Sequence, residues 1–164
     1  MKKNLLAVTT IFCLAFVAHV ALARQGKAEI KFTTLIQHSQ SAHEQKKNYA
    51  IRSQAEWQKL WQQMQPEAFL PKSTRVDSLM SKIDFNQQMI IAVFQGQKPS
   101  GGYGIVINKL QRDNKQIEVF IEEKSPGADC FTTQALTYPY HVIVTEKSAQ
   151  KVVFTSRQST SACR

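Results

Sequence analysis

Ser100 lies in the stretch GQKPSGGYG, residues 96–104, where four glycines and a proline crowd around one hydroxyl. Such a loop can cradle a phosphate or expose a nucleophile, so its spacing has to be tested against both chemistries. Gly96 and Gly101 are separated by four residues, as a phosphate-binding loop requires. However, Gly102 and Tyr103 stand where that motif needs Lys and Ser or Thr. The residues that follow, Ile105-Val106-Ile107, read as a strand rather than the helix whose amide dipoles would face a phosphate. A nucleophilic serine needs a strand-to-helix elbow flanked by glycines, and Ser100 has neither. His38, His43 and His141 are scattered, and no spacing joins them to Ser100. His38 and His43 stand five apart with only Glu44 alongside, and Cys130 and Cys163 have no neighbours at zinc-ligand spacing. Glu122 and Glu123 are adjacent on a strand pattern, so their carboxylates face opposite ways and do not share a substrate. No catalytic residue, metal ligand or cofactor is assigned: the expectation is not an enzyme.

Turn physics accounts for the same residues. Pro99 pre-sets its own φ, and Gly101 or Gly102 supplies the positive φ that other residues avoid. Gly104, within the following strand, is expected to admit a close neighbour or mark a bulge.

The elements around this loop follow from periodicity. Residues 28–38 alternate imperfectly and read as a first strand, and 49–53 as a short second one. Trp57, Leu60, Trp61 and Met64 fall on one helical face. Ser53 and Glu56 form a capping-box pattern before that face, and Pro66 stops it. A further short helical turn is expected near "SLMSKI", residues 78–83. Residues 88–96, 103–110, 116–124, 130–147 (interrupted at Pro139) and 151–156 all read as strand. Short connections favour antiparallel pairing. The expected fold class is α+β: a mainly antiparallel twisted sheet or partial barrel with the one amphipathic helix packed on a face.

Residues 1–23 carry Lys2 and Lys3 ahead of an apolar run, with Ala21 and Ala23 at its end, the layout of a cleaved signal peptide. Residues 24–164 are then expected to be one exported domain, periplasmic or secreted, with no membrane span after cleavage. Removing the two lysines lowers the formal net charge by two, from +9 to +7. That excess favours acidic partners and weak contact with anionic envelope polymers. No run of five or six like charges occurs, so nucleic acid is not expected as a partner. Loss of Cys13 leaves Cys130 and Cys163, which are expected to pair in an oxidising compartment. The bond closes a loop of 33 positions, worth at most about 3.7 kcal/mol on a chain-entropy account.

The segments "DFNQQMIIAVFQGQKPSGGYGIVI" and "IEVFIEEKSPGADCFTTQALTYPYHVIV" resemble the PrcB C-terminal domain family. The likeness rests on Gly101-Gly102-Tyr103 before a strand and on the later Thr133-Gln134 and Pro139-Tyr140 pairs, and it extends from about Tyr49 to Phe154. That family is named for a non-catalytic subunit of a bacterial surface protease complex. The resemblance implies an exported module that supports a peptidase, with no catalytic residues to carry over. A second likeness is confined to loops. "KPSGGY" is similar to the "NPTTGY" loop of chagasin-type cysteine-peptidase inhibitors, and "YPY" to their "RPW", with Lys98 and Tyr138 in place of the Asn and Arg. It implies an inhibitor presenting residues 98–103 and 138–140.

Together these features place a partner-binding rim on Pro99, Ser100, Gly101, Gly102 and Tyr103, with Tyr138, Pro139 and Tyr140 beside it. Proline-stiffened turns lose little entropy on docking, and tyrosines offer amphipathic contact area.

Overall fold

Ser53 starts the helix as its spacing from Glu56 predicts. Its Oγ accepts from the Glu56 N–H at 3.3 Å, and the Glu56 carboxylate reaches back to the Arg52 N–H at 2.8 Å. Helix α1 spans Gln54–Met64 and ends at Gln65, whose φ of +45° lets its N–H return to the Trp61 carbonyl before Pro66. The computed structural model describes residues 26–70 and 83–162. The expected signal segment, most of the turn near 78–83 and Cys163 lie outside the described residues.

Among the described residues eight strands accompany α1: β1 Ala28–Ile30, β2 Phe32–His38, β3 Lys46–Ile51, β4 Gln88–Gln95, β5 Gly104–Arg112, β6 Gln116–Pro126, β7 Tyr140–Glu146 and β8 Lys151–Ser161. The fold is α+β, with strands divided between two four-stranded sheets that do not close into a barrel. One sheet has the order β1-β5-β6-β8 and the other β2-β7-β4-β3. The first expected strand breaks at Lys31, where the chain passes from the first sheet to the second, which is why its alternation is imperfect.

Pairing is antiparallel except between β6 and β8, which run parallel over eleven residue pairs. The parallel pair arises because β7, which separates them in sequence, crosses to the other sheet and the chain returns in the original direction.

Two cores result. Between the sheets lie Met89, Ile91, Val93, Ile105, Ile107, Leu110, Ile117, Val119, Ile121 and Ile143. Beneath the helix lie Trp57, Leu60, Trp61 and Met64 against Ile90, Ala92, Phe94, Tyr140 and Val142. Strand β4 sends alternate residues into each core, so it is apolar from Met89 to Phe94 where a half-buried strand would alternate.

Candidate partner-binding loop end

Three connections leave the sheets at the same end of the sandwich: 39–45, 96–103 and 127–139. The pairings His38 with Tyr140, Lys46 with Gln95 and Gly104 with Lys124 bring their roots side by side. They are laced together mainly through backbone. Lys98 and Thr137 exchange both backbone hydrogen bonds, at 2.8 and 3.0 Å. The Gly101 N–H donates to the Thr133 carbonyl at 3.0 Å, and the Thr137 hydroxyl to the Ser100 carbonyl at 2.8 Å. The 39–45 loop joins through the Tyr138 N–H to the Ser39 carbonyl and the Gln97 N–H to the Glu44 carbonyl, both 2.9 Å. Each such bond contributes about 1 kcal/mol net, and together they fix the three loops as one surface.

Glycine is required twice at this contact. A Cβ on Gly101 would lie 2.4 Å from the Thr133 hydroxyl oxygen. Gly102 adopts φ of +84° against Pro126 and Thr132. Gly104, by contrast, has open space where a Cβ would be, and the irregularity in β5 lies between Ile107 and Lys109. It neither admits a close neighbour nor marks the bulge.

The expected rim is only partly presented to solvent. Pro99 and Gly102 are exposed, and Ser100, Gly101, Tyr103 and Tyr138 are half-buried. The Lys98 ammonium lies 5.7 Å from the centre of the Tyr103 ring. Pro139 and Tyr140 are buried, which corrects their placement on an exposed turn. The parity of β7 turns Tyr140 under the helix, where its ring stacks on Phe94 at 5.7 Å. Pro139 is held there through its carbonyl, which accepts from the Gln95 N–H at 2.9 Å.

Two apolar residues that the sequence pattern does not single out are also exposed here. Residues 127–139 are loop rather than strand, and on them Phe131 is fully exposed and Leu136 half-exposed. Covering a phenylalanine side chain is worth about 1.5–3 kcal/mol, so Phe131 stands where a partner would gain most. A cleft of 240 Å³ runs behind Tyr103, between Gln37, His38, Ile105 and Pro139.

The groups weighed for catalysis have structural partners. The Ser100 hydroxyl donates to the Gly101 carbonyl at 3.1 Å. His38 Nδ1 accepts from the Gln40 N–H at 3.1 Å. His43 stacks on Phe94 at 4.2 Å with its Nε2 2.7 Å from the Tyr49 hydroxyl, and burial pushes its pKa down. His141 faces the space between the sheets, where Nδ1 accepts from the Ile107 N–H and Nε2 lies against the Thr34 hydroxyl, both at 2.9 Å. Its pKa is lowered to about 4 by burial. Glu122 points outward to Asn108 and Arg157, while Glu123 is buried beside Lys46 and Gln158. Burial pushes Glu123 up, but hydrogen bonds from Lys46 and Gln158 outweigh it and the net shift is down. Among the described residues no three His, Cys, Asp or Glu side chains gather as a metal site, and no helix is long and apolar enough to cross a membrane.

The two loops with their flanking strands are the part of the chain that resembles a known family. Residues 89–146 match the PrcB C-terminal family. The PrcB C-terminal match begins in β4 and ends with β7, so it includes both the 96–103 and 127–139 loops. It is narrower than the likeness read from about Tyr49 to Phe154, and it leaves α1 and β8 outside. No curated protein and no solved structure matches the chain.

Proposed function

We propose that the protein is an exported, non-enzymatic binding module that associates with, or stabilises, a secreted or periplasmic peptidase. The observation that carries this reading is the loop end, where Phe131, Leu136, Pro99 and Tyr103 sit on a frame braced by backbone hydrogen bonds. An exposed aromatic on a pre-ordered loop docks with little entropy cost and fills a pocket on its partner. The PrcB C-terminal match supports a role beside a protease. On this reading residues 1–23 direct export, and Cys130 pairs with Cys163. Strand β8 supports that bond by ending beside Cys130: Ser161 accepts from the Gly127 N–H at 3.1 Å.

The test is affinity capture from the native envelope or medium at physiological salt, using the chain and its Phe131→Ala variant side by side. A peptidase recovered by the first and lost by the second supports the proposal. Its absence from both refutes it. Loops gathered at one end of a two-sheet sandwich also favour a second reading, a chagasin-like inhibitor presenting 98–103. That reading requires stoichiometric inhibition of papain-like peptidases, and a flat titration removes it. Binding to anionic envelope polymers would instead weaken steeply with salt.

A further inference from the structure

Of the four sheet edges, three carry devices that stop another strand from adding. Strand β1 has three residues, β2 is interrupted between Thr34 and Ile36, and β3 has six residues and opens with Lys46 and Lys47. Short length, irregularity and lysine are the ordinary protections of an exposed edge. Strand β8 has eleven residues, an unbroken register with β6 and no proline. Among the described residues nothing pairs with its outer side. It presents about 36 Å of extended backbone, with half of its N–H and C=O groups turned away from the sheet.

The charge around this edge is predominantly basic. Strand β8 carries Lys151 and Arg157 and no acidic residue. The edge of β3 lies on the same side of the sandwich. Lys46 and Gln158 both hydrogen-bond Glu123, and Arg52 donates to the carbonyls of Ser148 and Gln150, just before β8. Lys46, Lys47, Arg52, Lys151 and Arg157 therefore flank one strip, and the acids beside it are already engaged: Glu123 is buried against Lys46, Glu122 pairs with Arg157 at 3.3 Å, and Glu118 pairs with Lys27 and accepts from the Thr155 hydroxyl. A second copy adding through β8 would bring basic residues against basic residues.

We propose that β8 is a strand-addition site for an extended, acidic segment of another protein. Main-chain hydrogen bonds to the open edge would supply affinity, and carboxylates spaced along the segment would meet the basic strip. The site stands apart from the loop end and does not depend on the peptidase reading.

The probe is a nine-residue synthetic peptide, acetyl-Glu-Val-Thr-Val-Glu-Val-Thr-Val-Glu-amide, titrated into the mature chain while backbone amide shifts are followed by NMR. The expected result is saturable shifts concentrated at 151–161. Binding should weaken about tenfold when the three Glu are Lys. It should vanish when alternate peptide nitrogens are methylated on the edge-pairing side, a test that leaves the protein unaltered. Thr155→Pro and Ser156→Pro divide the same question within the chain. One removes a bond to β6 and lowers the melting temperature, and the other faces outward and abolishes peptide binding with little thermal change. Phe131→Ala should bind the peptide as the native chain does. No shift in β8 at millimolar peptide overturns the proposal. So do shifts scattered over surface lysines, or sedimentation showing that the chain already dimerises through β8.

Discussion

Lowering the pH from 7 to 5 should destabilise the protein through His141, and the size of the effect follows from its surroundings. The Nδ1 atom accepts from the Ile107 N–H, which an imidazolium cannot do, so the folded chain holds the neutral ring. Its pKa falls from the ordinary 6.5 to about 4. The unfolded chain takes up a proton below 6.5, while the folded chain resists until about 4. The stabilisation is therefore complete above pH 6.5 and is lost across that window as pH falls. Each pH unit within the window removes about 1.4 kcal/mol, so the loss is about 2 kcal/mol by pH 5 and at most about 3 kcal/mol by pH 4, less whatever water screening removes. For a domain of this size 2 kcal/mol corresponds to roughly 6 °C in melting temperature. The assay is thermal unfolding by circular dichroism between pH 7 and 5, run on the native chain and His141→Asn. The asparagine oxygen can accept from Ile107 and does not titrate. His43, also shifted down by burial, contributes equally to both proteins and cancels in the difference. Glu122, held at about 2 by Asn108 and Ser159 with help from Arg157, titrates below the window. Equal pH slopes in the two proteins would refute the argument.

The remaining expectations concern packing, the loop contact and the disulfide. Gly101→Ala drives a methyl into the Thr133 hydroxyl and should cost about 1–3 kcal/mol by chemical denaturation, with Thr133→Ala recovering part of the loss. Tyr140→Ala should cost about 3–5 kcal/mol because its ring is buried against Phe94. Phe131→Ala should stay within about 0.5 kcal/mol of the native chain, and a large loss there would mean that the ring packs in solution. Intact-mass measurement of the mature, non-reduced chain should read two hydrogens below the reduced form, and equal masses would reject the Cys130–Cys163 bond.

The helix is legible in the sequence because four large apolar residues at helical spacing, a serine cap and a terminating proline all agree. The division into two sheets is not. Strand β4 is apolar at every position from Met89 to Phe94 because it serves two cores, and a pattern without alternation does not say which neighbours lie on either face. The glycine turn is legible for a sound physical reason, but the residues beside it sort less well. Apolar Phe131 looks like strand interior, whereas its segment is held to the next loop by backbone bonds that leave no sequence pattern. Tyr140 looks like a turn residue, and only the starting point of β7 fixes its parity. The role of His141 is hidden for a similar reason: its partner at Ile107 is a main-chain N–H.

Strand β4 also determines how the protein comes apart. Because Ile90, Ala92 and Phe94 belong to the helix-covered core and Met89, Ile91 and Val93 to the other, neither core has a wall of its own on that side. Detaching the helix layer strips one face of the strand that the opposite sheet needs intact, so the two halves lack independent unfolding steps. Native-state hydrogen exchange should then find the amides of β4 opening only with global unfolding, while β1 and the end of β8 exchange earlier through local fraying. With β7 likewise giving Tyr140 and Val142 to one core and Ile143 to the other, the shared strands make a two-core molecule behave as one cooperative unit.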